Sequence, residues 1–259
     1  MDLGMVKSLS DHEAWFVQYV NSVRAKETED PEPLDMKQKH TLCVLENAKA
    51  IVTQEGFEPK MARACLLAAL YHDLGRFEQY RRYRTFKDRV SIDHGNFGVE
   101  IIKKTQCLQG EERWTEDVVM AAVGLHNKYI LPNDLPKDTQ TVTFVVRDAD
   151  KLDILRVIDE HLSHKPYNQT VMLQLPDDPD LFSETVIKAA LEDKVSAYGD
   201  LKSVNDFRLL LSTWIYDMNF SESRQQFIDQ GHALKILADL PENGVYAKAK
   251  AHMLTKLQK

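Results

Sequence analysis

Several histidines and aspartates of this chain stand in slots that helical periodicity gives to the core. His40 lies four residues before Val44 and extends a stripe through Val44, Leu45, Ala48, Ile51 and Val52. His72 and Asp73 follow LLAALY, part of the most apolar helix in the chain. His126 falls four residues after Ala122, and His94 opens a helix whose same face carries Gly98 and Ile101. Asp150 fills the slot between Val146 and Ile154. Burying a carboxylate is costly unless it is paired or metal-bound. Each residue alone is more simply a hydrogen-bonded core or helix-end group, but together they form a ligand set. Imidazole suits borderline transition metals and carboxylate harder ones, so Mn, Fe, Co, Ni or Zn would fit. His40, His72, Asp73 and Asp150 offer four ligands and two negative charges, matching one divalent ion. Adding His94 and His126 allows a second ion, with Asp73 as a bridge. Two ions can clamp the attacking and leaving oxygens of an in-line displacement, so the chemistry expected is hydrolysis of a phosphate ester by metal-activated water.

The elements that must position these residues are helices. The chain has 259 residues with only 10 Gly and 9 Pro, which disfavours a many-turned β-sandwich. Ser10 and Asp11 are read as capping a helix over 12–24, and the acidic stretch 27–35 as a loop. Helices are expected over 36–55 and 59–74, the latter stopped by Gly75, with 76–93 mainly loop. Further helices are expected from Asp93, through WTEDVVMAAVGLHNKYI, and over 141–158, where TVTFVV alone has strand-like composition. An extended segment is expected around TVMLQL, then several helices from about Glu184 to the end. Asp148 and Asp153 are read as a solvated acidic face, and His12, His161, His164, His232 and His252 as surface residues.

The order His40, His72-Asp73, Asp150 resembles the HD-domain superfamily, named for its adjacent His-Asp pair. The resemblance runs from about residue 36 to 158, and AlaAspLysLeuAsp at 149–153 is similar to the family's context for its last ligand. His94 and His126 match the extra histidines of two-metal subfamilies. Asn127 stands where dinuclear cyclic-dinucleotide phosphodiesterases have a second histidine, and their Gly-Tyr-Pro signature is missing. The resemblance implies an all-α helical bundle, and the chain is read as a single all-helical domain over 1–259, with a core over about 36–158 and a C-terminal helical extension over about 184–259. It also implies metal held by His40, His72, Asp73 and Asp150, and the phosphohydrolase activity of stand-alone bacterial HD proteins. Asp73 would then serve catalysis as well as metal binding.

The segment RFEQYRRYRTFKDR carries six basic residues in a chain of net charge −7. Guanidinium binds phosphate in bidentate fashion, so Arg76, Arg81, Arg82 and Arg84 are substrate-binding candidates. Phe77, Tyr80, Tyr83 and Phe86 could stack on a base. The related enzymes' HD-Gly-(basic) pattern favours Arg76, with Lys151 second, for phosphate contact in catalysis. A small phosphorylated substrate such as a nucleotide is expected, and overall acidity argues against nucleic acid. The N-terminus shows no signal-peptide core and no apolar run reaches membrane length. Three cysteines without pairing spacing suit a cytoplasmic protein with buried thiols. Two other readings stay open: an HD module that binds a nucleotide or metabolite without turnover, and a di-iron oxygenase. If one metal is bound, His94 or His126 could instead supply the general acid.

Overall fold

A computed structural model describes residues 7–27, 29–163, 167 and 172–258. All regular structure among them is helical, and no strand occurs. The chain divides into two compact units, Met1–Asp150 and Lys151–Lys259. The first contains α1 (Leu9–Arg24), α2 (Glu32–Gln54), α3 (Pro59–Tyr71), α4 (Leu74–Tyr83), α5 (His94–Thr105) and α6 (Arg113–Leu125). The division falls within α7 (Lys137–Leu162), which is helical throughout, TVTFVV included.

In the first unit α3 is the central element. From Ala64 to Tyr71 every residue except Leu66 is buried, as expected of a helix apolar on all sides. It packs against α2 and α6, while α5 packs against α4 and α6, and α1 lies on α3. The second unit has its own helices, α8 (Glu184–Leu191), α9 (Val204–Thr213), α10 (Ser221–Asp229), α11 (His232–Ala238) and α12 (Ala247–Leu257). There α9 packs on α11, and α12 on α8.

Local chemistry moves several boundaries from their expected places. Ser8, not Ser10, caps α1, in a capping box with Asp11. The second half of the acidic loop is helical. α2 starts at Glu32 because a proline is tolerated in a first turn, where its missing N–H has no partner to lose. The basic segment is not mainly loop. Arg76–Tyr83 belong to α4, with Leu74, Phe77 and Tyr80 buried on one side, and Arg84 ends the helix at φ 55°. Gly75 therefore does not terminate α3. The break comes at His72 and Asp73, where Asp73 leaves helical geometry at φ −101°, ψ 14°.

Other expectations fail on burial. His12 is buried, its Nδ1 2.7 Å from the Tyr71 hydroxyl and its Nε2 3.0 Å from Glu111 Oε1. Asp148 and Asp153 are also buried rather than solvated, and Asp153 accepts two hydrogen bonds from Arg156. His161, His232 and His252 are half-buried, and His164 lies outside the described residues. Met172–Gln174 form a turn rather than an extended segment, and 168–171 lie outside the described residues. Cys65 and Cys107 are buried, Cys43 is half-buried, and none of the three forms a disulfide.

Candidate metal centre

The break between α3 and α4 puts His72 and Asp73 at the middle of the first unit, and the neighbouring helices bring the other candidates to them. α2 contributes His40, the first residue of α5 is His94, His126 caps the end of α6, and α7 contributes Asp150. Gly75 allows the approach of α4 to α5. A Cβ on Gly75 would lie 2.2 Å from the His94 carbonyl oxygen and 2.9 Å from Gly98 N.

Asp73 is 3% exposed and faces two groups of imidazoles. Its Oδ2 lies 3.5 Å from His72 Nε2 and 3.8 Å from His40 Nε2. Its Oδ1 lies 3.5 Å from His94 Nε2 and 3.9 Å from His126 Nε2. Asp150 joins the first group, its Oδ1 3.0 Å from His40 Nε2 and 3.8 Å from His72 Nε2. Two triads that could hold a metal ion result, His40–His72–Asp150 and His72–Asp73–His126, each with its donor atoms within 4.8 Å of one another.

The ring orientations suit a metal. His72 Nδ1 is 2.8 Å from the Ala69 carbonyl oxygen and His126 Nδ1 is 2.7 Å from that of Val123. A carbonyl only accepts, so both rings donate from Nδ1 and present a bare Nε2 to the centre. The buried Nε2 of His72 has no hydrogen-bond partner. His94 Nδ1 meets Asp88 Oδ2 at 2.6 Å, which turns its Nε2 inward to 3.0 Å from His126 Nε2. Two lone pairs at that separation repel unless a cation or proton lies between them.

Charge favours the ligand forms. Burial pushes His72 down despite Asp73 and Asp150. Burial, then His94 and His72, pushes His126 down to about 3. Burial and Arg76 lower His94 despite Asp88 and Asp73. Burial alone would raise Asp73, but Lys37, His72, Arg76 and His94 outweigh it and hold the carboxyl well below its ordinary range. Burial is likewise overcome at Asp150, chiefly by the His40 ring 3.0 Å from its Oδ1 and then by the neighbouring His72. Neutral imidazoles and ionised carboxylates are the forms a metal requires.

The basic residues separate. Arg76 anchors Nη1 on Gln79 Oε1 at 3.0 Å, on Asp88 Oδ1 at 2.9 Å and on the Phe86 carbonyl oxygen. Its buried Nε, 3.5 Å from Asp73 Oδ1, has no hydrogen-bond partner. Arg81 and Arg82 pair with Glu78, and Arg84 with Glu27 at 2.5 Å. Lys151, beside Asp150 in sequence, pairs its ammonium with Asp217. Phe77 and Tyr80 are core residues and offer no face for stacking, whereas Tyr83 is exposed and Phe86 half-buried.

Sequence reasoning missed Lys37, whose Nζ lies 2.8 Å from Asp73 Oδ2. Its signal was one helical turn of spacing before His40. It also passed over Asp88, which accepts from Gln79, Arg76 and Asn127 as well as facing His94. We expect Asp88→Asn to weaken metal binding roughly 10- to 100-fold, the usual cost of losing a group that orients a ligand. Competition against a chromophoric chelator measures this, and unchanged affinity would show that His94 needs no such support.

An all-helical unit holding a buried His/Asp cluster defines a candidate metalloprotein. The HD-domain family model matches residues 38–155, from the first half of α2 into α7. That match makes the segment similar to the HD-domain superfamily, whose members are typically metal-dependent hydrolases and usually bind divalent ions. No curated protein and no solved structure matches the chain. Among the described residues, no helix is long and apolar enough to cross a membrane.

Proposed function

We propose that the chain is a metal-dependent phosphohydrolase acting on a phosphorylated small molecule or nucleotide. The observation that carries this reading is the division of Asp73 between two imidazole groups, Oδ2 toward His40 and His72, Oδ1 toward His94 and His126. His40, His72, Asp73 and Asp150 would hold one divalent transition-metal ion (Mn, Fe, Ni, Co or Zn), and His94 and His126, with Asp73 shared, a second. Bound divalent metal supplies an acidified water and charge neutralisation at phosphorus.

The chain's own groups do the rest. Arg76 is held by its Nη1 and keeps an Nε–H donor in the centre, placed to take a phosphoryl oxygen as charge develops there. Arg81 and Arg82 bind substrate more weakly in this scheme. Partly exposed ion pairs such as theirs with Glu78 contribute about 0–1 kcal/mol, low enough for an arriving phosphate to displace. Arg84 is held by the fully buried Glu27 side chain and is less free to move. Lys151 reaches phosphate only by leaving Asp217. Free cysteines suit a reducing, cytoplasmic setting.

The test is release of inorganic phosphate from a panel of phosphomonoesters and nucleotides by protein loaded anaerobically with Mn, Fe, Co or Ni. Thermal stabilisation by a nucleotide without phosphate release would replace this reading with that of a binding module. His126→Ala separates one metal from two. We expect bound metal to fall from two ions to one per chain, read by elemental analysis. Wild-type protein that binds a single ion at saturation sinks the second site and frees His94 and His126 for proton transfer.

A further inference from the structure

Asp73 is met by cations of its own chain as well as by imidazoles. Lys37 Nζ lies 2.8 Å from Oδ2, the same oxygen that faces His72 and His40. Lys37 sits on α2 one turn before His40, so a single helix delivers both a candidate ligand and a positive charge to one carboxylate oxygen. Its side chain is 16% exposed, so the ammonium keeps little of its hydration, and Asp73 keeps less. Lys37 and Arg76 share a second contact, the Phe86 ring, at 5.7 Å and 5.9 Å from its centroid. Both cations thus contact one aromatic ring as well as Asp73.

A transition ion bound to a carboxylate oxygen sits about 2 Å from it. An ammonium kept at 2.8 Å from that oxygen would therefore lie within about 5 Å of the ion. A double and a single positive charge repel strongly at that range where water is scarce. The imidazoles of His72, His126 and His94 cannot yield, because their Nδ1 atoms are fixed on Ala69 O, Val123 O and Asp88. Lys37 can, because its charge sits on a flexible four-carbon stem.

We propose that Lys37 is the resident cation of the metal-free centre. It holds Asp73 through Oδ2 until a divalent ion takes that oxygen, and its released ammonium then binds a phosphate oxygen of the substrate beside Arg76. The second half rests on the hydrolase reading, whereas the first needs only metal binding.

The test compares Lys37→Met, of similar length and no charge, with Lys37→Arg, which keeps the charge. In calorimetric titrations with Mn²⁺ alone, Lys37→Met is expected to bind at least about tenfold more tightly than wild type, and Lys37→Arg within about threefold of it. Without metal, Lys37→Met melts lower than wild type, and with metal the difference closes. On metal-loaded protein, inorganic phosphate binds Lys37→Met about tenfold more weakly, the loss of one charged contact. Acetylation of wild-type lysines followed by mass spectrometry reads the same event without a variant, and Lys37 should label faster when Mn²⁺ is bound. Metal affinity unchanged or weakened in Lys37→Met, or labelling indifferent to Mn²⁺, overturns the proposal. Tighter metal with unaltered phosphate affinity overturns its second half. Failure of the hydrolase reading looks different, since the metal and labelling shifts then persist with no phosphate released by any variant.

Discussion

Asp73→Asn is expected to strip the centre of all its metal, whereas Asp150→Asn removes at most the ion on the His40 side. Both changes keep size and remove one negative charge, so the contrast isolates position. Asp150 Oδ1 faces only His40 and His72, and its side chain is 21% exposed, so water can partly take its place. Asp73 faces all four imidazoles from a nearly dry position. An amide there offers one neutral oxygen where the carboxylate offered two charged ones. Losing the metal forfeits several kcal/mol of transition-state stabilisation, so phosphate release should fall about 10³-fold or more. The metal-free fold suffers too, because Lys37 and Arg76 lose the anion they face. Partial exposure of both softens that cost, and the variant should fold with a lowered melting temperature. Elemental analysis and phosphate release decide the matter together. Wild-type metal content in Asp73→Asn, with loss in Asp150→Asn, would falsify a centre built around Asp73.

How far this centre can be read from sequence depends on what each residue contributes. His40, His72, Asp73, His94 and His126 stand out because each extends or adjoins an apolar stripe, and burial of a polar group demands a partner that local sequence does not supply. Asp150 is more instructive. Periodicity places it in the core between Val146 and Ile154, yet Ile154 and Val157 are only half-buried, and the neighbours Asp148 and Asp153 are buried more completely. The residue meets His40, but the stripe drawn through it does not mark the buried side of α7. This helix is buried over too wide an arc for periodicity to single out one face.

The basic segment misled in another way. Its charge density hid the spacing of Leu74, Phe77 and Tyr80, three residues apart, that anchors α4. Long-range partners were invisible for a simpler reason. Lys37 and Asp73 are separated by 36 positions, and so is the basis for placing any lysine on that carboxylate. Short-range signals are ambiguous too, since Ser8 and Ser10 are equally good cap residues and Ser8 caps α1.

Gly75 ties the fold to the site, and Gly75→Ala should damage both. The added Cβ would fall 2.2 Å from the His94 carbonyl oxygen and 2.9 Å from Gly98 N. Both obstacles are backbone, so no side chain can turn aside, and α4 and α5 must part by about 1 Å to restore ordinary contact. Overpacking of this kind costs about 1–3 kcal/mol, occasionally more. At the upper end that lowers the melting temperature of a chain this size by roughly 6–12 °C. The catalytic loss should be larger than the loss of stability suggests. His94 is the first residue of α5, and Asp73 immediately precedes α4, so separating these helices separates His94 from Asp73. A displacement of about 1 Å in such a constellation can cost around 10²-fold in rate. Gly98→Ala is the control on the same helix pair. Its Cβ meets Val123 Cγ1 at 3.2 Å, a side-chain atom, and Gly75 N at an ordinary 3.5 Å. It should therefore fold, bind metal and turn over much closer to wild type. A Gly75→Ala protein as stable and as active as Gly98→Ala would mean that α4 and α5 have slack between them, and that their close approach does not hold His94 in place.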